Sequence, residues 1–253
     1  MFYLVTRKNN STELAELWSR DLASGKSDPV LTGQRITDYD FSPDQSQVAF
    51  SVRKGATSQI YLAALDRSSP PRLVAKDGDF VTFAGSGALM FLHLGEKEDY
   101  LARVHIDGSG LERVLNTPIA SKFGVSPDGE WAAVAGLLDP KFPPGTYAVS
   151  LQDHSRRRIC GGPCNVAWSL DGKLLYVSAD PGKTSAGRTV VVPLPRGFRQ
   201  SHFPETGLDR ANEEELAGIK VIRRGIMSPG PDPDTYAFTT AAFQGNLFRI
   251  PLH

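Results

Sequence analysis

The sequence predicts an all-β protein, a β-propeller, from three observations. First, one short phrase recurs: an apolar strand residue, a Ser-Pro-Asp-Gly style turn and a second apolar strand, seen at residues 39–45, 81–87, 123–129, 166–172 and, more loosely, 226–230. Second, the steps between its equivalent apolar residues Phe41, Phe83, Val125, Trp168 and Met227 are 42, 42, 43 and 59. Third, 24 Gly and 18 Pro are what many short strands and tight turns require. A fixed period of this size built from short strands is the signature of one four-stranded antiparallel blade per repeat.

The period divides the chain into about six repeats, 1–36, 37–78, 79–120, 121–163, 164–221 and 222–253, forming one domain over 1–253. Residues 37–76 show how a repeat makes a blade. Tyr39 and Phe41 alternate with Asp38 and Asp40, the period-2 mark of a strand with one face buried. Ser42-Pro43-Asp44-Gln45 then reverses the chain, with Pro presetting φ, Ser and Asp offering acceptors to backbone N–H groups, and a fourth position that favours Gly because φ is positive there. Val48 to Val52, Gln59 to Ala63 and Arg72 to Val74 supply strands two, three and four.

The ends carry incomplete blades. Residues 1–33 offer strands two to four (Phe2 to Thr6, Leu14 to Asp21, Val30 to Thr32), and the last repeat offers strands one to three (Arg223 to Met227, Thr235 to Thr239, Leu247 to Leu252). Either the two ends interlock to close a ring, or the chain is the C-terminal piece of a longer propeller. The long step holds an insertion, 193–218, with Asp209 as N-cap, a short helix over 210–217 and Gly218 as its stop. It reads as a solvated excursion, with a lid or docking element as the alternative.

Composition narrows the function classes. Lys plus Arg and Asp plus Glu both number 28, so the long-range field that draws a protein to nucleic acid or an anionic membrane is missing, and neither partner is expected. No run approaches the ~18 apolar residues of a membrane span, so the chain reads as soluble and free of membrane contact. Kinase signatures and a Gly-x-Ser-x-Gly elbow are absent, and Ser169 to Gly172 already has its place in the repeat. His93, His105, His154, His202 and His253 are scattered, and Asp38/Asp40 and Asp232/Asp234 are too few for a calcium loop. No catalytic residue, metal or cofactor is assigned. Cys160-Gly161-Gly162-Pro163-Cys164 spans the crossing between two blades and reads as packing thiols or as a local disulfide, with a reactive pair as the remaining alternative.

Propellers bind at the rim where second strands turn into third ones and fourth strands hand over to the next blade. Those loops carry Arg35, Lys54, Asp79, Glu96, Glu98, Asp139, Lys141, Asp180, Lys183 and Arg188, a mixed-charge set that suits a protein or peptide better than a phosphate backbone.

With Phe-Ser-Pro-Asp at 41–44, Val-Ser-Pro-Asp-Gly at 125–129 and Trp-Ser-Leu-Asp-Gly at 168–172, nearly the whole chain resembles the TolB-type, WD-repeat-like propellers. Residues 230–238, running into 246–251, look like the closing segment of propellers appended to bacterial serine/threonine kinase-like proteins. This resemblance implies a periplasmic or otherwise extracytoplasmic sensing or docking domain of a larger signalling protein; without it, the compartment reads as cytoplasmic. The expectation is a non-catalytic module for protein interaction or ligand sensing. Its alternatives are a propeller hydrolase or lyase with channel carboxylates, or an accessory domain of a protein kinase.

Overall fold

The structure, a computed structural model, describes residues 1–9, 12–136, 143–162, 164–179, 187–194, 198, 203–208, 216–225, 227–230 and 234–238. Its strands form an all-β propeller of five blades followed by a short ribbon. Blade one has three strands, β1 (Phe2–Asn9), β2 (Thr12–Arg20) and β3 (Ser27–Leu31). Blade two has β4 (Ile36–Phe41), β5 (Gln47–Lys54), β6 (Thr57–Ala64) and β7 (Arg72–Lys76). Blade three has β8 (Gly78–Phe83), β9 (Ala88–His93), β10 (Tyr100–His105) and β11 (Glu112–Arg113). Blade four has β12 (Ser121–Val125), β13 (Trp131–Ala135), β14 (Thr146–Ser150) and β15 (Arg156–Cys160). Blade five has β16 (Cys164–Trp168), β17 (Leu174–Ala179), β18 (Arg188–Pro193) and β19 (Lys220–Ile222). Within each blade, neighbours run antiparallel in chain order.

The expectation of about six blades is corrected to five. Where a sixth was expected, the described residues form only a two-stranded ribbon, β20 (Met227–Pro229) and β21 (Tyr236–Phe238). The expected strand at 247–252 lies outside the described residues, as does most of the expected helix at 210–217. Residues 220–222, just after the insertion, complete blade five by pairing with β18.

The repeated turn works as its chemistry dictates. The Ser42 hydroxyl donates to the Asp44 carboxylate at 2.5 Å and accepts the Gln47 N–H at 2.9 Å. Ser126 with Asp128, and Ser169 with Asp171, repeat the arrangement, their hydroxyls accepting the Trp131 and Leu174 N–H groups at 2.9 Å. Gly129 and Gly172 take the left-handed position with φ of 71° and 69°; in blade two Gln45 occupies it with φ of 57°.

The core consists of apolar layers between successive sheets, since the sheets of blades two to five each pack both faces against a neighbour. Phe50 and Val52 face Leu17 between blades one and two; Ile60 and Leu62 face Phe83 and Phe91 between two and three. Leu92 and Leu101 meet Val134 and Val149 between three and four, and Trp131 and Ile159 meet Trp168 and Val177 between four and five. A smaller layer joins Tyr176 and Val191 to Met227 of the ribbon.

The insertion is not simply a solvated excursion. Phe198 is buried with its ring 5.0 Å from Trp131 and 5.4 Å from Phe203, and the Leu208 N–H donates to the Ile159 carbonyl at 2.7 Å. These apolar groups cap the layer between blades four and five, because its end would otherwise stay open to water.

Candidate protein-interaction rim

Antiparallel order places the first-to-second and third-to-fourth turns at one end of every blade, and the second-to-third turns and blade hand-overs at the other. The latter end is the rim singled out from sequence. Of its candidates, Arg35, Lys54, Asp79, Glu96, Glu98 and Arg188 are described; Asp139, Lys141, Asp180 and Lys183 lie outside the described residues.

Arg35 and Lys54 are exposed on adjoining connections of blade two, and the Arg53 N–H donates to the Arg35 carbonyl at 2.9 Å. Asp79 is built differently. It is 5% exposed, and its carboxylate accepts the Thr37 hydroxyl at 2.8 Å, the Phe80 N–H at 3.0 Å and the Ser58 hydroxyl at 3.3 Å. The Arg53 guanidinium stands 3.7 Å away. Asp79 therefore latches blade three onto three strands of blade two. Four residues along, the Phe83 N–H donates to the Asp40 carboxylate at 2.8 Å, a second latch between the inner strands.

The latch aims a residue that did not stand out in the sequence, Phe80. Phe80 has φ of +53° although it is not glycine, and its ring is 40% exposed. Val81 and Phe83 occupy the buried side of β8, and a bulge between Asp79 and Thr82 turns Phe80 outward. Asp77 is also left-handed, at +53°. Gly78 between them cannot be larger: a Cβ there would lie 2.7 Å from Phe91 and 2.8 Å from Ile60. The available sequence signal was the run Phe80-Val81-Thr82-Phe83, in which two buried places leave the first aromatic facing out.

Blade three closes the rim with residues 94–99, carrying exposed Glu96. The Leu94 N–H donates to the Asp77 carbonyl at 2.6 Å, and the Gly95 N–H to the Asp99 carboxylate at 3.2 Å. Below, Tyr100 stacks on His93 with centroids 4.7 Å apart, while Arg113 lies 4.8 Å over the Tyr100 ring and 2.7 Å from Glu98. Arg188 is half-buried within β18, on a strand instead of a loop.

Cys160 and Cys164 form a disulfide with their Cα atoms 6.6 Å apart, joining the last strand of blade four to the first of blade five. Thr146 braces it, its hydroxyl 3.3 Å from the Gly162 carbonyl and from the Cys164 N–H. Among the described residues, no three His, Cys, Asp or Glu side chains converge as metal ligands, and no helix is long and apolar enough to cross a membrane.

Five radially successive antiparallel sheets with shared apolar layers define the class: a β-propeller. The sequence matches no known family profile and no characterised protein. Among solved structures the fold is similar to TolB from Acinetobacter baumannii, at TM-score 0.61 and 16% identity over 78% of this chain and 51% of that one. It is also similar to a protein designated TolB from Agrobacterium tumefaciens, at TM-score 0.58 and 19% identity over 73% of both chains. A nidogen/laminin complex matches at TM-score 0.54 and 11% identity over 76% of this chain and 74% of that one. The chain thus spans about half the length of the Acinetobacter protein. At these identities the likeness is one of fold.

Proposed function

We propose that the chain is a non-catalytic interaction module whose protein or peptide partner docks on the rim above blades two and three. The observation that carries this reading is Phe80: a large apolar ring held in water by a backbone that disfavours it, over a buried carboxylate latch. Backbone strain persists only where its surroundings over-determine it, and it concentrates at binding and switching sites. A rigid exposed aromatic is the usual anchor of a protein interface. Arg35 and Lys54 on one side and Glu96 on the other give a partner two signs of charge to match. A similar fold occurs in a nidogen/laminin complex, in keeping with this use. The disulfide accords with an oxidising, extracytoplasmic setting, and a larger bacterial signalling protein, kinase-like in its other part, is the parent we infer from the resemblance carried by residues 230–238 and 246–251.

The test puts a photo-crosslinking phenylalanine analogue at position 80 in the source cells. One discrete adduct, lost when Lys54→Glu and Arg35→Glu are added, is expected. No adduct, or one indifferent to both charges, overturns the reading. Phe80→Ala distinguishes anchor from core residue, since an interface anchor leaves the melting temperature nearly unchanged.

A further inference from the structure

On the opposite face, between blades three and four, the apolar layer splays into a groove of about 540 Å³. Its floor is Met90, Val114 and Leu151, the open end of the layer that buries Leu92 and Leu101 farther in. Its wall is a row of cross-strand neighbours, Met90, Arg103 and Glu112, on the face of blade three that looks at blade four.

The repeat supplies an internal control. Arg103 pairs with Met90 on the second strand and Glu112 on the fourth; in blade two that place belongs to Leu62, paired with Ala49 and Arg72, and in blade four to Ala148, paired with Ala133 and Arg157. Leu62 and Ala148 are buried in their layers, whereas the Arg103 side chain is 47% exposed. A guanidinium thus stands where the fold elsewhere packs an apolar group, and the groove is the space this opens. It is weakly held: Glu112 lies 3.8 Å away, itself 62% exposed, and such pairs contribute little. Arg113, by contrast, is fixed on Glu98 and Tyr100. Across the groove, the turn carrying His154 is rigid, with φ of +58° there and with the Ser150 hydroxyl and Asp153 carboxylate bonded to its N–H groups.

We infer that this groove binds a peptide segment of a partner protein in which a carboxylate adjoins an apolar side chain: the apolar group on Met90, Val114 and Leu151, the carboxylate bidentate on Arg103 in place of Glu112. The volume lies within the range of ligand sites. Among the lining residues only His154 carries a ring, so a peptide fits better than a sugar, which would call for aromatic platforms. The inference does not rest on the rim reading, since the groove shares no residue with Phe80, Arg35, Lys54 or Glu96.

The test is a displayed random-decapeptide library selected on the intact chain, with fluorescence titration of the selected peptides. Selected peptides are expected to share an Asp, Glu or free C terminus beside an apolar residue, and to lose at least about tenfold in affinity on Arg103→Leu. Arg103→Leu restores the residue of blade two and is expected to melt no lower than the parent, separating lost binding from lost folding. Glu112→Gln removes the competing carboxylate and is expected to tighten binding severalfold, while Lys26→Ala on blade one changes nothing. Failure to select peptides, selection without a carboxylate, or equal affinity for the parent and Arg103→Leu each overturns the inference.

Discussion

Gln45 and Phe80 hold the same disfavoured backbone for different reasons. At the turn of blade two, Gln45 stands where Gly129 and Gly172 stand in their copies, and its Cβ costs on the order of 1 kcal/mol. Gln45→Gly is expected to raise the melting temperature by about 2–4 °C, read by calorimetry; no rise would mean the turn tolerates the side chain without strain. Phe80→Gly is expected to raise the melting temperature too, but to stop the chain from co-purifying with the partner that the position-80 crosslink identifies, which would show strain retained for binding. Titration acts on the same turns. The Ser42 hydroxyl, then the Ser46 N–H and hydroxyl, hold the Asp44 carboxyl down to about 2, and the Ser169 hydroxyl and Lys173 N–H lower that of Asp171. Both folded values lie below the unfolded one, so their contribution is complete above about pH 4 and lost as pH falls toward 2. The melting temperature should drop across that window, and less steeply in the double variant Ser42→Ala/Ser169→Ala.

At the scale of strands and their junctions, the sequence was most readable where one element meets water on one side and core on the other. The turns at Ser42, Ser126 and Ser169 were visible because three residue types at fixed offsets serve one hydrogen-bond pattern. Asp79 was harder: as a charge in a hand-over loop it read as a rim residue, and only the meeting of Thr37, Ser58 and Arg53 from three strands makes it a latch. Such non-local meetings leave no local pattern. Asp79→Ala, which leaves those donors unmatched, is expected to destabilise by about 2–3 kcal/mol in urea unfolding, and an effect below 0.5 kcal/mol would deny the latch. The junction at Cys160 left packing thiols and a local disulfide both open on paper. With the bond formed, Cys160→Ala/Cys164→Ala should lose about 2 kcal/mol, and intact-mass measurement should find no free thiol before reduction.

Across the whole molecule, periodicity predicted the architecture because each 42-residue unit repeats one packing problem, a sheet with two faces to bury. It overcounted blades because residues 227–238 carry the phrase in outline but form only three-residue strands. A ribbon that short is marginal by itself, so its amides are expected to exchange fastest among the strands, and those of β5, β9 and β13 slowest. It also missed the insertion's return to Trp131, since Phe198 lies far outside the repeat it caps.

The layers between sheets belong to two blades at once, and this sets how such a chain can change in length. Adding a whole repeat adds one sheet and one layer, and every new face meets a face of the kind its neighbours already fit. Losing part of a repeat strands a half-layer on each side. Duplication in units of about 42 residues is therefore the step this architecture tolerates, and a fractional gain must find its place outside the sheets, as Phe198 does at the end of the layer between blades four and five.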